Sequence, residues 1–266
     1  KFKYTYSLYD INFKEKNMNK AKNKTKLKAL IRKFPVYTDL KDLLHHLLLN
    51  NIRANYFYFV SGTVTLNSLE ELMMKFHNYY SILDQYYTMN FKYKNNKATI
   101  KFFLFYDGSS DQLIFLLFAR AGINGSRDHL FFDLEKKVKN LRSSKTPLNF
   151  LGYQLNKLDD MWTWFISKEY QTNFINELEE LIIRKNIRLI NQHISKLKTF
   201  IGFKGVRADF VKFKDKINLI LLQINEADFI HKHKIKLINF DLPLLGQIQT
   251  AKKISLKDLP SGGGAQ

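Results

Sequence analysis

A chain of 266 residues is long enough for one large domain or two smaller ones, and 45% hydrophobic residues can supply a core. Lysine and arginine number 43 against 24 aspartates and glutamates, a net charge of +19 that points to a polyanionic partner, nucleic acid ahead of an anionic membrane surface. The absence of cysteine excludes disulfides and thiolate metal sites. No stretch reaches the roughly 18 to 20 apolar residues of a bilayer-spanning helix.

Lys, Asn, Ile, Phe, Tyr and Leu crowd the chain while Gly, Pro and Ala are scarce. The favoured residues mostly have AT-rich codons, which suggests an AT-biased genome such as that of an organelle; parasites and viruses show the same bias. The chain opens on Lys1 rather than Met, as a processed, trimmed or partial chain would.

Residues 1–33 form a lysine-dense arm, densest over Lys14–Lys33. Its apolar positions are too few to bury, so it is expected to be disordered alone and to order against RNA, or else to be a plain solubilising tail. DLKDLLHHLLL, within Thr38–Asn50, predicts a short helix capped by Thr38 or Asp39. Tyr56–Leu66 is aromatic and β-branched and predicts a strand, with a break at Gly62. Asn67–Tyr87 predicts a helix whose Leu69, Leu72, Met73, Phe76, Tyr80 and Leu83 form a packing face. Two strands follow, Thr99–Tyr106 and Gln112–Ala119, joined by the turn Asp107-Gly108-Ser109-Ser110.

The turn Gly122–Arg127 then leads into a helix predicted over Asp128–Leu141, and Leu148–Leu155 predicts a third strand. The second half predicts a long helical span over Leu158–Phe200, bent or broken near Glu179–Ile183. Strands are predicted beyond it at Val206–Phe213, Ile217–Ile224, Ile235–Phe240 and near Ile254, completing a second α+β unit. The SGGGAQ terminus reads as a flexible tail.

Arg120 and Arg127 flank a turn that carries Gly122, Gly125 and Ser126. A strand that delivers glycines to a helix N-terminus lets a polyanion backbone approach peptide N–H groups. KH modules clamp RNA in this way through a GxxG loop. The plainer reading is a hairpin-to-helix turn with solvated arginines. Arg184, Lys185 and Arg188 project together opposite the stripe Ile183, Ile187, Ile190, Ile194 and Leu197, where a solvated helix face is the ordinary meaning.

His45-His46 and His231-x-His233 have no Cys, Asp or Glu at a matching spacing, so neither a metal nor any cofactor is expected. Glu177, Glu179 and Glu180 read as salt-bridging helix residues. Trp162 and Trp164 read as packing residues of the long helix, with base stacking a minor role. No phosphate-binding loop, dinucleotide fingerprint or hydrolase elbow is present, and enzymatic activity is not expected.

Taken together, these segments resemble the small-subunit ribosomal protein S-three family (uS-three) in a divergent, mitochondrion-like form. TIKFFLFYDGSSDQLIFLLFARAG resembles the family's second and third elements, whose Ala-Arg-Pro-Gly turn is here Ala119-Arg120-Ala121-Gly122. NGSRDHLFFDLEKKV resembles the glycine loop and its helix. NELEELIIRKNIRLINQHISKLKTFIGFKGVRADF resembles the second helical region, which leads into a strand beginning Lys204-Gly205-Val206-Arg207. The likeness runs from Ile82 to Phe213, and each motif is short.

The resemblance implies an α+β fold: a prokaryotic-type KH-like RNA-binding module over 67–157 and a second α+β domain over 158–260. A basic N-terminal extension precedes them over 1–66, and a flexible tail follows over 261–266. It implies a structural constituent of the mitochondrial small ribosomal subunit in the matrix. Its partners would be small-subunit rRNA, mRNA and neighbouring ribosomal proteins, with no small-molecule substrate, membrane or cofactor. Arg120, Gly122, Gly125, Ser126 and Arg127 would meet rRNA. Arg184, Lys185 and Arg188 match the spacing of a family triad that grips and unwinds incoming mRNA, and Lys204 and Arg207 complete the RNA-binding set.

Departures from the family weaken the expected grip. Its Gly-basic-basic-Gly loop is replaced by Gly125-Ser126-Arg127-Asp128, and the alternative register Gly122–Gly125 holds no base. Val211-Lys212-Phe213 stands where the family has Gly-Arg-Leu, and nothing past Asp215 matches. Two rival readings stand beside this one: an organellar nuclease, and a lineage-specific basic subunit of a respiratory complex.

Overall fold

The computed structural model of the chain describes residues 20–83, 86–135, 137–143, 147–225, 237–245 and 252–259. It divides into two compact units, one formed by 1–142 with 248–266 and the other by 143–247. The first unit runs α1 (Lys20–Arg32), β1 (Pro35–Tyr37), α2 (Leu40–His46), β2 (Tyr58–Thr65), α3 (Leu66–Tyr80) and α4 (Tyr86–Lys94). It continues with β3 (Thr99–Phe105), β4 (Gln112–Arg120), α5 (Leu130–Leu134) and β5 (Lys139–Asn140). The second unit holds β6 (Leu148–Phe150), β7 (Tyr153–Leu158), β8 (Met161–Ile166), α6 (Lys168–Ile183), α7 (Ile187–Ser195) and α8 (Lys204–Asn225). A last strand, β9 (Lys253–Ser255), returns to the sheet of the first unit.

Both units are mixed α+β. The partition cuts across the expected divisions at 66/67 and 157/158, because β2 shares a sheet with β3 and β4 while β6 and β7 belong to the second unit.

In the first unit six strands form one mixed sheet in the order β5-β2-β4-β3-β1-β9. β1 runs parallel to β3, meeting it at Tyr37 opposite Phe105, and the other pairings are antiparallel. The β3–β4 hairpin expected from the Asp-Gly signal is present, and Asp107 Oδ1 accepts the Ser109 N–H at 2.9 Å to hold its turn. Strand alternation sends Ile100, Phe102 and Leu104 with Leu113, Phe115, Leu117 and Ala119 to one face. α3 covers that face with Leu69, Met73, Phe76 and Tyr80, and the Phe76 ring lies 5.7 Å from Phe102 and 5.5 Å from Phe115. At ~1.5–3 kcal/mol for each fully buried large side chain, this cluster outweighs any surface ion pair of the unit.

α2 starts where expected: Asp39 Oδ1 accepts from Lys41 N–H at 2.8 Å, and the helix continues as a π-helical segment, Leu47–Ile52. α3 stops at Tyr80, where Ser81 takes a left-handed φ of 55°, so the single helix expected to Tyr87 is two.

Further expectations are corrected. The basic arm is helical from Lys20 onward: Ile31 is fully buried, Leu27 packs on the core, and Lys28 Nζ lies 2.7 Å from Glu70 Oε1 of α3. Two apolar residues one turn apart suffice because α3 supplies the opposing surface. The rest of the arm lies outside the described residues.

The helix expected over Asp128–Leu141 is only five residues long. Phe131 docks its ring 5.8 Å from Tyr80, and the Tyr80 hydroxyl donates to Glu135 Oε1 at 2.6 Å, turning the chain out toward β5.

The single strand expected over Leu148–Leu155 is a hairpin, folded at Leu151 and Gly152 with φ of 46° and 85°. The helix expected from Leu158 begins at Lys168. Asp159 and Asp160, with φ of 49° and 60°, turn β7 into β8, a two-residue turn whose twist suits paired strands. Trp162 and Trp164 therefore lie on β8, the latter fully buried. The helical break falls at Arg184–Asn186 rather than Glu179–Ile183.

The strands expected at Val206–Phe213 and Ile217–Ile224 are one helix, α8. Its Val206, Phe210, Phe213, Ile217 and Leu221 are buried, and the helix packs on β8. Residues 237–240 are not strand, and Ile235 lies outside the described residues. No helix among the described residues is long and apolar enough to cross a membrane.

Candidate nucleic-acid interface

The face of the large sheet opposite α3 carries the cations. Register places Lys139 opposite Phe59, Phe59 opposite Phe118, and Phe118 opposite Lys101, while Arg120 pairs with Thr99 and Lys253 with Tyr37. Directly paired residues share a face, so Lys139, Arg120, Lys101 and Lys253 all stand on this one around a layer of aromatic rings that are themselves buried. Its ring contacts run Phe59 to Phe118 at 6.0 Å, Phe118 to Phe103 at 6.1 Å and Phe103 to Tyr37 at 6.4 Å. His46 of α2 covers the far end, 5.7 Å from Tyr37 and 5.6 Å from Phe103.

Each cation rests on a ring. The Arg120 guanidinium lies 3.8 Å from the Tyr93 ring centre and 5.1 Å from Tyr56, and Lys101 Nζ lies 4.6 Å from Tyr56. Lys253 lies 4.6 Å from Tyr37, Lys139 5.8 Å from Phe59, and the exposed Arg142 4.2 Å from Phe57. Such contacts hold a cation in place without neutralising it. Burial, with Arg120 close by, lowers the Lys101 pKa, and its ammonium donates to the Asn50 carbonyl and to Asn51 Oδ1, both at 3.2 Å. Burial, with Lys253 and Lys101 adding to it, takes His46 down to about 4, so its ring is neutral near pH 7.

The expected glycine loop is built differently from a phosphate clamp. Gly122 N–H donates to the Ser126 carbonyl and Gly125 N–H to the Gly122 carbonyl, both at 2.8 Å. Asn124 N–H donates to Asn96 Oδ1 at 2.9 Å and Asp128 N–H to Ser126 Oγ at 3.2 Å. These donors are spent on acceptors of the protein itself, within the turn or, for Asn124, on Asn96. The following helix starts five residues beyond Gly125 and is capped by His129 Nδ1, which accepts the Phe131 N–H at 3.1 Å. What the loop does present is Arg127, exposed, its guanidinium 4.8 Å from the Tyr58 ring.

In the second unit Arg184, Lys185 and Arg188 gather at the α6–α7 break instead of along one helix. Arg184 caps α6, Lys185 takes φ of 53°, and Arg188 lies in the first turn of α7, whose N-terminus is closed by Asn186 Oδ1 at 3.1 Å from Leu189 N. Arg184 makes a long, exposed bridge to Glu180 at 3.6 Å. Lys204 and Arg207 start α8 rather than a strand and have internal partners: Lys204 Nζ lies 3.0 Å from Asp159 Oδ2, and Arg207 donates to the Gly202 carbonyl. Gly205 lies so close to β8 that a Cβ would meet the Trp164 carbonyl at 2.6 Å.

Sequence reading passed over Lys101, Lys139, Arg142 and Lys253. The signal for Lys101 was present, a lone charge in the apolar strand TIKFFLF. His46 packs among aromatics, and His231 and His233 lie outside the described residues. The chain matches no protein-family model, no curated protein and no solved structure.

Proposed function

We propose that this chain is a structural, RNA-binding constituent of a mitochondrial small ribosomal subunit. It holds rRNA through the first unit and lies beside incoming mRNA through Arg184, Lys185 and Arg188. The observation that carries the RNA-binding part is the set of four cations sharing one sheet face, each seated on an aromatic ring, in a chain of net charge +19. Cations held in this way release counterions from a phosphate backbone, and binding of that kind is electrostatic and salt-dependent. The ribosomal assignment rests on the uS-three resemblance of Ile82 to Phe213.

A KH-like module is part of this reading. The order α3, β3, β4 and α5 inside one unit supports it, while the expected third strand, Leu148–Leu155, lies in the second unit and β2 stands between β4 and β5 in the sheet. Its glycine turn serves as a mount for Arg127 rather than as a backbone clamp.

Sucrose-gradient sedimentation of an organelle extract, half of it treated with RNase, tests the proposal. Comigration with the small subunit that RNase abolishes is the expected result. Migration with a membrane complex, or as free protein indifferent to RNase, would overturn it.

A further inference from the structure

β1 meets β3 at a single pair, Tyr37 and Phe105, where Tyr106 N–H donates to the Tyr37 carbonyl at 2.9 Å. From that point back toward Thr99 no further β1–β3 pair forms, and among the described residues no strand pairs with this side of β3. The gap is a cavity of about 220 Å³ whose lining includes Phe34, Tyr37, His46, Lys101, Phe103 and Lys253.

We propose that this cavity takes one unstacked RNA base, seated among Tyr37, Phe103 and Phe34, with Lys253 and Lys101 meeting the flanking phosphates. The inference rests on the RNA-binding reading and names the site where that RNA is gripped.

Size, lining and charge all point to this occupant. The volume is below the roughly 300–1,000 Å³ of pockets for drug-sized ligands, so it suits a single planar ring system. Aromatic walls accept any base through its π-face. Among the described residues neither Lys101 nor Lys253 is in ion-pair contact with a carboxylate: Lys101 donates only to neutral oxygens of Asn50 and Asn51, and Asp42 acts on Lys253 from beyond contact distance. His46 is held neutral, its Nδ1 lies 3.2 Å from the Asn50 amide nitrogen, and it lines the cavity as an uncharged polar ring.

The test uses the full chain and an RNA octamer carrying 4-thiouridine, with photo-crosslinks mapped by mass spectrometry and affinity measured at fixed salt. Crosslinks are expected in the peptides that hold Phe34–Tyr37, Phe102–Phe103 or Lys253. Met89→Trp, which fills the cavity from α4, should abolish them and weaken binding about tenfold, the effect of losing one stacked base. Lys253→Gln, which removes the charge without setting a second carboxylate near Asp42, should weaken binding. Octamer binding with crosslinks only elsewhere would overturn the cavity site and leave the RNA-binding reading standing. Wild-type affinity in Met89→Trp would do the same. Absence of octamer binding together with absence from the small subunit would overturn both. Should Met89→Trp fail to fold, the crosslink map of the unaltered chain decides.

Discussion

Arg127 donates from Nη2 to the Tyr58 hydroxyl at 2.9 Å while its guanidinium lies 4.8 Å from the centre of the same ring. The side chain is anchored at its tip by a neutral group, so its charge stays available although its position is set. An arginine held in this way loses less conformational entropy when a phosphate arrives.

Replacing Arg127 with Gln should therefore weaken RNA binding evenly across sequences. The slope of log affinity against log salt should become shallower by about 1, the contribution of one phosphate contact. The residue is exposed, and stability should shift by less than ~0.5 kcal/mol. Titrations at several salt concentrations read the slope, and an unchanged slope would remove Arg127 from the interface.

The two glycines of that turn differ in what they tolerate. A Cβ on Gly122 would collide with the Asn96 backbone carbonyl, whereas Gly125 has open space but a φ of 79°. Gly125→Ala should cost about 1–2 kcal/mol from left-handed backbone strain alone. Gly122→Ala should cost more, because backbone rather than a side-chain tip must move. Urea unfolding of both variants checks the order, and equal losses would contradict the close approach.

The same turn shows what could be read from sequence. The glycines mark a turn, but nothing local reveals that Asn96, far upstream, takes up the Asn124 N–H. Local signals succeeded where chemistry and structure are neighbours, as in the Asp39 cap and the Asp107-Gly108 hairpin. They misled where composition and spacing disagreed. Val206, Phe210, Phe213, Ile217 and Leu221 are β-branched, aromatic or aliphatic and read as strand material, yet their intervals of three and four are helical, and the interval prevails. The Asp159-Asp160 turn went unseen because it lacks glycine, although aspartate tolerates a positive φ. The cationic face was hidden for another reason. It is assembled by pairing β9 with β1 and β5 with β2, contacts that no local pattern encodes.

His46 makes the first unit sensitive to acid. Burial comes first among the causes that take its pKa from 6.5 to about 4, with Lys253 and Lys101 next. The unfolded chain binds a proton that the folded chain refuses, so the contribution of His46 is fully present above about 6.5 and is lost as pH falls toward 4. Stability should drop between pH 7 and pH 5, above most carboxylate titration, and His46→Gln should flatten the drop. Urea midpoints at the two pH values provide the measurement. A wild-type slope retained in the variant would shift the effect to His45 or His193, which burial also lowers.

Arg184 and Arg188 offer the sharpest separation of function from fold. Arg184 is 72% exposed and its partner Glu180 68% exposed at 3.6 Å, a pair worth at most ~1 kcal/mol, and Arg188 is exposed on the first turn of α7. Reversing both charges to Glu places two carboxylates at the helix break without removing a buried contact. The protein should fold and enter the small subunit at its normal level, judged by gradient sedimentation. If these residues lie beside incoming mRNA, translation through a stable hairpin should slow while an unstructured message is read normally, because only strand separation needs cations held against the phosphates. Unimpaired reading through the hairpin would remove the triad from the mRNA channel. Loss of subunit incorporation would instead assign Arg184 and Arg188 to rRNA or to a neighbouring protein.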